Sequence, residues 1–201
     1  MQALYITLLL AAVFWFATFS LQLLNFWLSM CIAVTILTAL ALRFGGIPFS
    51  RADWNGRSIF SGFAAAAALY SIFWLGNSLS QFLFQFAKPQ IASIYGIRTQ
   101  GEAIMISLIL LFITSPGEEI FWRGFVQRRF VQRFGEKKGW LVSSAVYAGV
   151  HIASGNFMLT MAALTAGLFW GWLYQREKNL VPCIISHSLW TVTIFILLPI
   201  L

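Results

Sequence analysis

The chain has 201 residues, of which 60% are hydrophobic and 9% charged, with a formal net charge of +7. Soluble domains carry about 25% charged residues, so this composition excludes an ordinary soluble fold and indicates a polytopic membrane protein. The positive charge does not indicate nucleic acid, because the basic residues fall in short segments between apolar runs, where topology explains them. Cys31 and Cys183 lie far apart inside apolar runs, so neither a disulfide nor a metal-type cysteine spacing is expected.

Apolar runs of about 17 to 25 residues are candidate spans. The first runs from Ala3 to Phe19 and lacks a basic n-region ahead of it, so it reads as a retained span rather than a cleaved signal. A polar break at Ser20, Gln22 and Asn25 precedes the second, Phe26 to Leu42. Gly45, Gly46 and Pro48 mark Arg43 to Arg57 as a loop. A third span covers Ser58 to Leu75. The segment Gly76 to Gln100 is interrupted by Asn77, Gln81, Gln85, Lys88 and Pro89, which predicts an interfacial amphipathic helix.

The fourth span begins near Glu102 and continues past Arg129, with a kink expected at Pro116-Gly117. The basic run Arg128 to Lys138 ends it. A fifth span runs from Gly139 to Ala153, Ser154-Gly155-Asn156 makes a turn, and a sixth runs from Phe157 to Tyr174. The seventh is Leu180 to Leu201. The predicted fold is all-α: a polytopic helical membrane protein of about seven transmembrane helices plus an interfacial helix. It forms a single integral membrane domain over 1–201, with its motif-bearing core at about 101–201. Arg43, Arg51 and Arg57 then share a side with the 128–138 run, Arg176 and Lys178, which places the N-terminus in the cytoplasm.

Within the spans of the second half lie Glu118, Glu119, His151 and His187, the latter two being the only histidines. A carboxylate in hydrocarbon is paired, protonated or useful. At about 1.5 Å per residue, Glu118, His151 and His187 fall at overlapping depth. Glu119 and Arg123 are four residues apart, share a helix face and form a structural or orienting pair. Glu118 points about 100° away around the helix and has no basic partner at that spacing. Tyr147 lies one turn before His151, and Thr191 one turn after His187. Ala163, Gly167 and Gly171 form a small-residue stripe for close helix packing. There is no G-x-S-x-G or H-E-x-x-H, and Ser186 beside His187 is poorly placed as a nucleophile.

One acid and two imidazoles suggest activation of water, with Glu118 as general base on a water also held by His151. His187 with the Thr191 hydroxyl then stabilises the oxyanion. The alternative is a His2Glu zinc site made of the same three residues. That leaves no acid as base unless Glu119 leaves Arg123, so the scheme without metal or other cofactor is preferred. Two non-peptidase readings are a catalytically inactive immunity or scaffold protein and a proton-coupled transporter. The absence of an obvious inverted repeat speaks against the transporter.

The segment EEIFWRG, with Glu118, Glu119 and Arg123, resembles the E-E-x-x-x-R motif of the CAAX prenyl protease type II family, also called CPBP or Abi. YAGVH, Tyr147 to His151, is similar to its F-x-x-x-H motif with Tyr in place of Phe. The stretch from Gly167 to Thr191 resembles the third conserved stretch, which ends H-x-x-x-N or H-x-x-x-D; Thr191 departs from it. The resemblance covers Phe112 to Phe195 and implies an intramembrane endopeptidase of the glutamate type. In it Glu118 and His151 activate water, His187 helps form the oxyanion hole, and Glu119 and Arg123 support the site. It also implies a peptide or protein substrate, lipidated ones included, in contact with membrane lipids. Eukaryotic members trim prenylated CAAX proteins, and bacterial relatives are linked to peptide processing and bacteriocin self-immunity. The short chain without extensions suggests a prokaryotic cytoplasmic membrane.

Overall fold

Backbone polar groups in hydrocarbon must bond one another, so an apolar chain of this pattern satisfies them within helices. The computed structural model describes residues 1–200 and holds no strand among them. In chain order the helices are α1 (Gln2–Leu21), α2 (Phe26–Gly45), α3 (Gly56–Leu83), α4 (Ala87–Gly96), α5 (Ala103–Phe134), α6 (Glu136–His151), α7 (Phe157–Glu177) and α8 (Val181–Leu197). Three of them start on asparagine caps. Asn25 accepts from the Trp27 and Leu28 amides, Asn55 from Ser58 and Asn156 from Leu159, satisfying amides that lack a partner in the first turn.

Five helices, α1, α2, α3, α5 and α7, are long and apolar enough to cross a membrane. Large apolar side chains such as Phe60, Phe82, Ile104 and Phe112 point outward, as a lipid-facing surface requires. The other two of the seven expected spans are shorter. α8 is apolar but falls below spanning length, and α6 has 16 residues and opens on Glu136, Lys137 and Lys138.

Contacts between loops sort the helix ends into two groups. At one end Arg128 and Arg129 donate to the carbonyls of Gly45 and Phe44, Lys178 pairs with Glu136 at 2.6 Å, and Asn179 donates to the Asp53 carbonyl. These are the basic segments that the sequence places on one side. At the other end Asn25 donates to the Gln100 carbonyl, Asn156 to that of Gln90, and Ser20 to that of Ala153.

One local expectation is corrected. The third span does not stop at Leu75: α3 continues to Leu83, because Gln81 donates to Asn77 four residues back at 3.0 Å on one helix face. Of the stretch expected to form an interfacial helix, α4 is the α-helix that remains separate from α3. As the sequence indicates, α5 continues past Arg129 and through Pro116. The stretches Leu110–Thr114 and Ile120–Gln127 on either side of it are widened to the i→i+5 pattern. A proline ring collides with the carbonyl four residues back, and a widened turn relieves that clash while helical bonding continues.

α5 lies in the middle of the bundle and carries more of its buried polar residues than any other helix. Gly117 lets it close on α2, since a Cβ there would run into Val34 and Thr38. The stripe on α7 works the same way: a Cβ on Gly171 would lie 2.6 Å from the Trp140 ring, and one on Gly167 3.0 Å from the Tyr147 ring. This close approach brings α7 carbonyls within reach of α5 donors. Gln127 donates to Gly171 at 2.8 Å and Arg123 to Gly167 at 3.4 Å, one turn apart on both helices.

The turn from α5 into α6 runs through Gly135 at φ +81°, and Gly139 then packs on backbone, with its Cβ position 2.5 Å from Val131 Cα. Backbone cannot rotate aside as a side chain can. Gly139→Ala is expected to destabilise the fold by about 1–3 kcal/mol through overpacking. Gly149→Ala on the same helix meets nothing within 4 Å and is expected to lose no stability. Thermal unfolding in detergent compares the two.

Candidate active site

The adjacent acids of α5 enter different environments, as their angular separation predicts. Glu119 is fully buried, and its Oε1 receives Arg123 Nη1 at 3.0 Å and His187 Nδ1 at 2.8 Å. One carboxylate thus joins α5 to α8. The Arg123 guanidinium is itself sandwiched by aromatic faces, 4.8 Å from the Tyr147 ring centre and 5.4 Å from that of Trp170. Such faces attract a desolvated cation. The i,i+4 pair expected from the sequence is present, and Glu119 also orients a histidine.

Glu118 has no cationic hydrogen-bond partner. Its Oε2 accepts the Tyr147 hydroxyl at 3.0 Å. Tyr147 therefore touches both halves of the site, giving its hydroxyl to Glu118 and its ring face to Arg123. Its carbonyl takes a third bond, from His151 Nδ1 at 2.8 Å. Glu118 and His151 are thus joined through Tyr147 rather than by a direct hydrogen bond.

A carbonyl only accepts and an indole N–H only donates, which decides the tautomer of His151. Nδ1 carries the hydrogen toward Tyr147, and Nε2 accepts Trp15 Nε1 at 3.1 Å. His187 lies flat on Trp170, with ring centres 3.8 Å apart and planes 20° apart, and Trp170 donates to Ser186 Oγ at 3.1 Å. Ser186 is fully buried and so engaged, consistent with its rejection as a nucleophile.

The site therefore assembles Glu118, Glu119, Arg123, Tyr147, His151 and His187 from α5, α6 and α8. Thr191 differs from its expected part. Its hydroxyl donates to the His187 carbonyl at 2.8 Å, the ordinary back-bond of a helical threonine, and is not offered to a ligand. Two buried oxygens one turn apart on α5, Ser115 Oγ and Glu119 Oε2, have no hydrogen-bond partner among the described residues. No three His, Cys, Asp or Glu side chains among those residues are grouped to hold a metal ion.

Two aromatic residues at the site were not singled out from sequence. Trp170 follows Ala163 and Gly167 at helical spacing, so the inward stripe of α7 extends to it. Trp15 sits in the first apolar run, 136 residues from His151, and nothing local to it signals the contact.

A helical membrane bundle that buries two glutamates and two histidines around one arginine defines an intramembrane acid–imidazole site. The family model for Rce1-like type II CAAX prenyl endopeptidases matches residues 99–193. This region contains every site residue named above except Trp15, and over it the chain is similar to that family of membrane proteases. Comparison with curated proteins and with solved structures gave no match.

Proposed function

We propose that the protein hydrolyses peptide bonds within the membrane by the glutamate-type mechanism, without metal or other cofactor. The observation that carries this reading is the different fate of the two adjacent acids. Glu119 is held by Arg123 and His187, whereas Glu118 has a single neutral hydroxyl partner and is the acid free to exchange a proton. In the reaction, Glu118 takes a proton from water as the water oxygen bonds to the scissile carbonyl carbon. The carbonyl electron pair moves onto its oxygen. His187, anchored at Nδ1 by Glu119, presents Nε2 toward that oxyanion. When the carbonyl re-forms, the C–N bond breaks and the proton on Glu118 passes to the leaving nitrogen, yielding an acid and an amine. His151 holds the water through Nε2 once that nitrogen is free.

The substrate proposed is a membrane-associated peptide or protein, lipidated forms included. The basic end of the bundle is proposed to face the cytoplasm of a prokaryotic cell. The test is cleavage of farnesylated and unfarnesylated CAAX-ended peptides by the protein in proteoliposomes, read by mass spectrometry. A new C-terminus on the farnesylated peptide supports a prenyl-directed endopeptidase; cleavage of neither peptide supports the inactive immunity or scaffold reading. Because the Thr191 hydroxyl is spent on its own helix, Thr191→Ala is expected to keep turnover within the same order of magnitude in this assay. A large loss would return Thr191 to the oxyanion site.

A further inference from the structure

Trp15 belongs to α1, outside residues 99–193, yet its indole is the side chain that hydrogen-bonds the His151 ring. The indole is buried, edge-on to His151 at 5.7 Å between ring centres and edge-on to Trp122 at 6.1 Å. Its N–H fills the Nε2 lone pair, while Nδ1–H is given to the Tyr147 carbonyl. A histidine engages water through a ring nitrogen with a free lone pair or a free N–H, and His151 so placed has neither.

The end of α1 that carries Trp15 is built differently from its start. Past Phe16 the helix widens over Ala17–Leu21 and stops at Gln22, a non-glycine residue at φ 50°. It is tied down there by the Ser20 hydroxyl on the Ala153 carbonyl, two residues beyond His151, and by the Phe19 ring, 6.1 Å from the His151 ring. The opposite face of α1 exposes Ile6, Leu9, Val13 and Phe16, a lipid-facing surface with no protein behind it. The contact on His151 therefore sits at the end of a helix held on one side only.

Resting on the peptidase reading, we propose that Trp15 is a latch: with α1 docked, its indole occupies the water-binding nitrogen of His151, and turnover requires the indole to withdraw. The described arrangement is then the resting form, and His151 becomes competent when the end of α1 shifts. Only the fraction of molecules with Nε2 free can turn over, so removing the latch raises apparent activity.

The test uses the full chain in nanodiscs with Trp15→Phe, which keeps an aromatic ring and deletes the N–H. Nitrogen NMR of histidine-labelled protein reads the contact without reference to activity, aided by there being only two histidines. In the wild type His151 Nε2 is expected at the position of a hydrogen-bonded acceptor, and in Trp15→Phe at that of a free one. Peptide cleavage by Trp15→Phe is expected to rise roughly 2- to 12-fold in kcat/KM, the equilibrium worth of one hydrogen bond. Ser20→Ala, which loosens the same end without touching the packed ring, is expected to move both readouts the same way by less. An unchanged His151 signal in Trp15→Phe, or a changed signal with lower cleavage in both variants, overturns the latch. Absence of cleavage by all three proteins, with the signal change intact, upholds the contact and overturns the peptidase reading instead.

Discussion

Glu118→Gln is expected to lower peptide cleavage by roughly 10²–10⁴-fold, the usual contribution of a general base, while thermal stability stays close to wild type. The amide has the shape of the acid and its carbonyl oxygen still accepts the Tyr147 hydroxyl, so the 3.0 Å contact survives. What is lost is the ability to take a proton. Glu118 pairs with no cation, so no buried charge is left alone by the change. Glu119→Gln makes the informative contrast. It removes the negative charge that faces both Arg123 and His187, so it should cost stability as well as rate. Cleavage rates in proteoliposomes and unfolding in detergent, taken together on both variants, separate the two acids. Wild-type rates for Glu118→Gln would remove Glu118 from the mechanism.

Arg123→Met is expected to give the largest loss of stability, about 3–5 kcal/mol, the usual consequence of stranding one member of a buried ion pair. Arg123 is 2% exposed and Glu119 0%, so neither charge can recover water by a small movement. Methionine fills part of the arginine volume but leaves the Glu119 carboxylate facing only His187. The same change removes the cation from between the Tyr147 and Trp170 rings and the donor to the Gly167 carbonyl. Gln127→Met one turn later deletes a neutral donor to Gly171 and should cost only about 1–3 kcal/mol, the penalty for an unsatisfied buried group. Denaturant unfolding in detergent ranks the two. Wild-type stability for Arg123→Met would mean that the Glu119–Arg123 pair contributes nothing to holding the bundle together.

Those features that repeat with the helix period were legible in the sequence. The Glu119–Arg123 pair, the divergence of Glu118 from it, and the Ala163, Gly167 and Gly171 stripe all follow from 3.6 residues per turn, and the structure contains each. The clustering of the basic loops at one end follows from the alternation of apolar runs. Features that depend on how neighbouring groups are satisfied were not legible. Asn77 and Gln81 read as a break because each is polar, but together they satisfy each other and α3 continues. Pro116 signals a local departure from regular helix, but the widened turns on both sides of it have no signature of their own in the sequence. The Thr191 hydroxyl bonds the His187 carbonyl of its own helix, a local partner that the motif spacing does not display. Trp15 illustrates the general difficulty, since a tryptophan in an apolar span looks like any other until a distant helix brings a histidine to its nitrogen.

The most direct measurement is the mapping of protein termini in membranes that contain either the wild type or Glu118→Gln at equal abundance. New C-termini, with their matching N-terminal partners, are expected in the wild-type membranes and not in the variant, and their sequences would name the substrate. Identical sets of termini in the two membranes would contradict hydrolysis by Glu118-activated water.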